Sequence, residues 1–304
     1  MPPTGTLLCL ASAAAFGAMG IFGKLAYDDG ATVGTLLAVR FALAAIVLWG
    51  VLLASGRAGE LRALSRRDVG LALALGAIGY SAQAGSYFAA LDRMDAGLLS
   101  LVVYTFPTIV TVAAIVLGRE RASRRTGVAL VLASCGLVLV LAGASAGALD
   151  GLGVTLGLTA AVVYSTYILA SDGVSGRVGA LPLSTLVCTG AAVTLTLGGL
   201  AVGDLRLGAV GLGGLGWLAA IALVSTVGAL GLFFAGLRRV GPSTTAILST
   251  LEPVVTVALA FVVFGESLGA IPLLGGALVL AAVVAVRAPA QRVVPRTAPE
   301  GAPA

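Results

Sequence analysis

Ten apolar runs, most of them about 20 residues long, are separated along this chain by short polar, Gly-rich or Arg-rich breaks. They fall near residues 5–26, 33–54, 69–90, 96–118 and 125–143, and, after a small-residue break at Gly143–Gly151, near 152–170, 180–202, 213–236, 241–264 and 268–286. About 20 consecutive apolar residues in a helix cross the hydrocarbon core of a bilayer. The pattern therefore predicts an all-α integral membrane protein with ten transmembrane helices. The opening MPPTGTLLCLASAAAFGAMG has the small residues of a signal-peptide cleavage site but no basic n-region, so it reads as the first span. Residues 288–304, rich in Pro and Arg, cannot bury a core and read as a disordered cytoplasmic tail.

The polar punctuation repeats. Leu91, Arg93, Pro107, Ala114, Val116 and Glu120 recur 146 residues later as Leu237, Arg239, Pro253, Ala260, Val262 and Glu266, and GVALVLA at 127–133 returns as GGALVLA at 275–281. The chain thus divides into a five-helix repeat at 1–146 and a second at 147–287. An odd number of spans per repeat makes the halves enter the membrane from opposite sides, which predicts an inverted repeat with a midplane site between the halves.

Composition supports the bilayer. Of 304 residues, 59% are hydrophobic and 10% charged, with mean hydropathy +1.09, whereas soluble domains carry about 25% charged residues. With the N-terminus in the cytoplasm, fourteen of the eighteen basic residues fall in cytoplasmic loops and tail, Lys24, Arg93 and Arg206 lie outside, and Arg40 lies within a span. The positive-inside rule then puts both termini in the cytoplasm. The net charge of +5 reports this topology, so no nucleic-acid partner is expected. The absence of His removes imidazole bases and His-ligated metals. Cys9, Cys135 and Cys188 lack metal or disulfide spacing and read as buried thiols. No Walker-type phosphate loop is present, and neither a cofactor nor a metal is expected.

Few residues carry chemistry at membrane depth. Pro107 and Pro253 occupy matched positions in the fourth and ninth spans, where each removes a backbone hydrogen bond and frees a carbonyl. They are hinge candidates, with a packing kink as the plain alternative. Glu252 precedes Pro253 where the first repeat has Phe106. An intramembrane carboxyl is costly and suits proton coupling or substrate contact; the alternative is a protonated group bonded to Ser249, Thr250 or the freed carbonyl. Arg40 is the only basic residue well inside a span, at a depth that allows an ion pair with Glu252, a carboxylate contact, or snorkelling. Phe16, Tyr80, Tyr104 and Tyr164 sit at depths suited to a cavity wall, as do Tyr87, Tyr167 and Phe233; Gln83 and Thr226 are polar candidates for the same cavity. For each, packing between helices is the bland alternative. Lys24 reads as an interfacial anchor, and Gly143/Gly147, Gly153/Gly157 and Gly199/Gly203 have the spacing of close helix contacts.

AAAFGAMGIFGKLA, Arg40-Phe41, FPTIVTVAAIVLGRE followed by GVALVLA, and LEPVVTVALAFVVFGESL followed by GGALVLA resemble an EamA-type member of the drug/metabolite transporter superfamily over residues 5–287. Phe16 stands where that pattern often has Trp, with Tyr164 as its second-half counterpart. The resemblance implies a ten-helix inverted-repeat carrier of the plasma (inner) membrane, with spans one to four and six to nine around a cavity and five and ten peripheral. It also implies kinship with exporters of amino acids and other metabolites. The expectation is a secondary transporter, not an enzyme, exporting a small organic solute by alternating access, with proton antiport the leading coupling. Its expected partners are that solute and the bilayer, with a homodimer open. Import or uncoupled diffusion, a channel or structural subunit, and a lipid-modifying membrane enzyme are the competing classes.

Overall fold

The computed structural model describes residues 3–117, 124–142, 150–175, 177–233, 235–236, 239, 248–249 and 251–287. Among these the chain is helical, with no strand. α1 (Pro3–Gly17) and α2 (Met19–Asp28) run on as one helical rod, since the Ala18 and Phe22 amides still donate to Ala14 and Ala18. α3 is Val33–Ala54, and the short α4 is Ala58–Arg62. A continuous helix then comprises α5 (Arg66–Ala74), a π-helical segment Leu75–Tyr80 and α6 (Ser81–Leu91). It is followed by α7 (Ala96–Val103), α8 (Phe106–Val116) and α9 (Arg124–Ala142). The second half contains α10 (Gly151–Ser175), α11 (Ala180–Ala201), α12 (Leu212–Ala222) leading into a π segment Leu223–Gly228, α13 (Leu251–Phe264) and α14 (Ala270–Arg287).

Helix occupies each of the ten apolar runs, and several bounds agree with the sequence to within two residues. Among the described residues five helices are long and apolar enough to cross a membrane: Thr4–Asp28, Val33–Ala54, Gly151–Ser171, Ala180–Ala201 and Leu212–Phe233. Shorter apolar helices cover Ala96–Val110, Val131–Val140, Leu251–Phe264 and Ala270–Ala282. Large apolar side chains are exposed on many of them, among them Ile46, Ile78, Val116, Leu212 and Phe261. A helix apolar on both its packed and its open face suits lipid as the surrounding solvent. Among the described residues three helix starts are capped: Thr32 accepts from the Thr35 amide, Ser65 from the Asp68 amide and Asp150 from the Gly153 amide.

The packing is symmetric under exchange of the halves. α3 packs on α11, α9 on α14 and α7 on α13, each pairing equivalent runs of the two halves. α6 packs on α10 as α2 does on α12, α8 on α10 as α1 does on α13, and α3 on α12 as the Arg66–Tyr80 stretch does on α11. Close approach depends on glycine. A Cβ on Gly136 would lie 2.6 Å from the Gly275 carbonyl oxygen, and one on Gly275 2.6 Å from that of Gly136, so the α9–α14 crossing is backbone to backbone.

Two local expectations come out differently. Cys9 and Cys188 are buried, but Cys135 is exposed because α9 packs mainly through the face it turns to α14. Gly203 is not a packing glycine: its φ of +70° makes the turn after α11. Gly153 and Gly157 do mark close contact, with Arg93 and Asp150 near the first and Leu99 and Val102 near the second. Gly143, Gly147, Glu120 and the 288–304 tail lie outside the described residues, as does most of the 241–250 stretch.

Candidate substrate-binding site

The two prolines sit at matched helix breaks. In the first half α7 ends at Val103, Tyr104 and Thr105 form a turn, and α8 restarts at Phe106 with Pro107 in its first turn. In the second half Ser249 lies in a turn and α13 starts at Leu251, two residues before Pro253. Pro253 has no N–H to give the Ser249 carbonyl, which instead accepts from the Glu252 amide at 3.0 Å and from the Tyr104 hydroxyl at 2.6 Å. The acceptor freed in one half is therefore filled by an aromatic hydroxyl from the other.

Glu252 is half-buried beside this break. Among the described residues its carboxylate makes no hydrogen bond or ion pair; neither Ser249 nor the freed carbonyl takes it. Its backbone carbonyl accepts from Thr256 Oγ1 at 3.1 Å, and the same hydroxyl lies 2.9 Å from the Gly17 carbonyl of α1. A Cβ at Gly17 would lie 2.7 Å from the Glu252 carbonyl oxygen, so glycine is what lets α1 close on α13. Phe16, next to Gly17, is partly buried and joins none of the ring contacts.

Arg40 is 2% exposed. It does not pair with Glu252. Its Nε donates to Thr226 Oγ1 at 2.9 Å, and its guanidinium carbon lies 4.8 Å from the Phe41 ring centroid and 5.4 Å from that of Phe88. Thr226 is fully buried in the second π segment and donates to the Ile221 carbonyl at 3.0 Å, one residue further back than the usual helical acceptor. Tyr80 closes the first π segment with its hydroxyl against Arg40. The two π segments, 75–80 and 223–228, are themselves equivalent at the 148-residue offset of the GVALVLA repeat, and both reach Arg40.

Four of the aromatic candidates, Tyr80, Tyr167, Tyr164 and Tyr104, join in one chain with Phe41 and Phe106, while Tyr87 packs on Phe88. From Phe41, beside Arg40, contacts run to Tyr80 at 5.1 Å, Tyr167 at 5.6 Å, Tyr164 at 6.4 Å, Phe106 at 4.6 Å and Tyr104 at 5.5 Å. It leads from the buried cation to the two helix breaks. Tyr80 and Tyr87 are also close enough to feel the charges of both Arg40 and Glu252. Gln83 is buried, and its amide makes no hydrogen bond among the described residues. Sequence reasoning missed Phe88, Gly17, Ser165 and Thr256. The signal for Ser165 was its place opposite Gly17 in the repeat: its hydroxyl reaches the Phe106 carbonyl at 3.1 Å, the counterpart of the Thr256–Glu252 contact.

Lys24 is more than an anchor. At one end of the bundle its Nζ lies 2.8 Å from Glu266 Oε1 and 3.8 Å from Asp95, while the Glu266 carboxylate accepts from the Ala96 and Gly97 amides at the start of α7. Gly265, at φ +68°, turns the chain so that Glu266 reaches back to that helix. Burial and then the Glu266 charge push the Asp95 carboxyl up, against the opposing pull of Lys24. Asp204 fastens the same end by accepting from the Gly34 amide at 2.7 Å and through its carbonyl from Thr32 and Thr35. A crevice lined by Lys24, Tyr27, Arg93 and Asp95 opens beside this seam. At the other end Arg177 Nε meets Asp68 at 2.9 Å; the Ser65 hydrogen bond and then Arg177 hold that carboxyl below its ordinary range.

A duplicated bundle of apolar helices, broken at matched prolines around a buried Arg and a half-buried Glu, is the architecture of a membrane transporter. The EamA-like transporter family matches residues 3–142 and again residues 151–288. This chain belongs to that family, within the drug/metabolite transporter superfamily. It is 25% identical over 277 residues to an uncharacterized transporter, YcbK, of Bacillus subtilis (strain 168), covering 89% of this chain and 88% of the relative. An uncharacterized transporter of Archaeoglobus fulgidus is 29% identical over 203 residues, 66% of this chain and 70% of its own. A solved crystal structure superposes with a TM-score of 0.69 at 19% identity, over 94% of this chain and 97% of that one, which establishes likeness of fold.

Proposed function

We propose that this protein is a secondary carrier of the plasma membrane that exports a small organic solute, an amino acid or related metabolite, by alternating access. Its ten spans form two inverted five-helix repeats with both termini in the cytoplasm. The observation that carries this reading is the pair of matched helix breaks, one of which holds a carboxylate with no bonding partner among the described residues. A carboxylate left free within a bilayer-spanning bundle is expensive unless it exchanges a proton or contacts cargo. In this account Glu252 takes up a proton from one side and releases it to the other as the halves rock about the breaks. The positive-inside count places the Lys24–Glu266 seam outside and the Asp68–Arg177 pair inside. Export then requires Lys24 to part from Glu266, and return requires it to re-form.

The test is growth of cells carrying wild type, Glu252→Gln or empty vector, at equal expression, on toxic amino-acid analogues, nucleobase analogues and lipophilic cations. Wild type should confer resistance to one class and the variant should lose it. Equal resistance from both proteins would keep export and remove Glu252 from the coupling; sensitisation by wild type would reverse the direction to import.

A further inference from the structure

Arg40 poses the sharpest question in the bundle. A guanidinium offers five N–H donors, yet this one is 2% exposed and forms a single hydrogen bond of good geometry, from Nε to Thr226. Beside it stand Tyr80 and the faces of Phe41 and Phe88, which attract a cation but supply no negative charge. Among the described residues neither Glu252 nor any other carboxylate makes an ion pair with it. An uncompensated buried charge costs several kcal/mol even after relaxation. Polar capacity is left in the same bundle: the Ser225 hydroxyl, in the same π segment as Thr226, is buried without a hydrogen-bond partner, and Gln83 forms no hydrogen bond among the described residues.

We infer that Arg40 is the residue that reads the cargo, and that the cargo carries a carboxylate. This inference rests on the carrier reading above. The guanidinium fork matches a carboxylate bidentately, and the chain from Phe41 to Tyr104 gives an apolar or planar body a surface to lie along. A phosphate offers the same planar recognition but brings about two negative charges to a site with one cation, so the monoanionic carboxylate is the better match. The Arg40 clasp also explains why both π segments are where they are. Thr226 of one half hydrogen-bonds the guanidinium and Tyr80 of the other packs on Phe41 beside it, so a carboxylate drawn to Arg40 engages the two halves at once. π segments often occur where a helix must carry such a function.

The experiment uses the full chain in lipid nanodiscs and in proteoliposomes. The probes are L-phenylalanine and L-leucine, their amides, 3-phenylpropionate, phenethylamine, and phosphoserine beside serine. Acids should raise the melting temperature and exchange in counterflow, while the amides and phenethylamine do neither. Arg40→Gln should weaken acid binding tenfold or more, since a hydrogen bond to a charged group contributes about 1.5–3 kcal/mol. Arg40→Lys, which keeps the charge and loses the fork, should retain part of it, and its unliganded melting temperature checks the fold should Arg40→Gln fail to purify. Counterflow of amines or amides in place of acids would overturn the inference while leaving the carrier intact. Acid binding undiminished in Arg40→Lys, preference for the phosphorylated probe, or failure of every acid to bind would also overturn it.

Discussion

The two helix breaks sit at matched prolines and have different contents. In the first, Phe106 stands beside Pro107, and Ser165 from α10 hydrogen-bonds the Phe106 carbonyl. In the second, Glu252 stands beside Pro253, Gly17 replaces the Ser165 side chain, and Thr256 supplies the hydroxyl from α13 itself. Duplication preserved the break, and divergence placed a carboxylate in only one copy. The shared feature is therefore the proline-marked break itself. The unshared feature is the carboxylate, to which the proposed coupling is assigned.

The largest expected effect comes from the position where the halves differ most in space. Gly17→Val places side-chain atoms where even a Cβ is 2.7 Å from the Glu252 carbonyl and 3.0 Å from Val255 Cβ, so overpacking should cost about 1–3 kcal/mol, seen as a lower melting temperature. Ser165→Ala keeps its Cβ and loses only a hydroxyl bonded to Phe106 and Ala161, for about 0.5–1.5 kcal/mol. A larger loss at Ser165 than at Gly17 would invert the comparison. Tyr104→Phe should cost about 1 kcal/mol, because the Glu252 amide still reaches the Ser249 carbonyl. If the melting temperature stays unchanged in Tyr104→Phe, the cross-half bond contributes nothing to the hinge.

The smallest effect lies outside the breaks, at Asp68. Its pKa is lowered, so the stability it lends is fully present above the ordinary value of 3.8 and fades as pH falls through the folded value. Its partner Arg177 is 54% exposed to solvent, so the pair is a surface one and Asp68→Asn should change melting little at neutral pH. The difference between wild type and Asp68→Asn should narrow on acidification; a difference that grows would give the wrong sign.

Much of this was legible in the sequence because lipid imposes simple rules. Runs of about 20 apolar residues became helices, and Pro107 and Pro253, which cannot donate, marked both breaks. Tyr80, Tyr104 and Tyr164 could be singled out because aromatics are scarce, and the structure strings them together. The partners were not legible. LGAIGY and LVSTVG share little beyond their place in the repeat, so the π segments have no signature in residue type. Depth alone could not say which way Arg40 faces; rotation about the α3 axis points it at Thr226 rather than Glu252. Lys24 looked interfacial by position, but its partner Glu266 is 242 residues away, brought near by packing of α13 on α2 and α7.

The most direct test of the asymmetry is transport of the cargo identified by growth, in proteoliposomes carrying wild type, Glu252→Gln or Phe106→Leu, with and without an imposed pH gradient. If the carboxylate in one break is the coupling group, Glu252→Gln should still exchange labelled for unlabelled cargo but lose gradient-driven accumulation, while Phe106→Leu keeps both. Gradient-driven accumulation that persists in Glu252→Gln, or is lost in Phe106→Leu instead, would contradict the account.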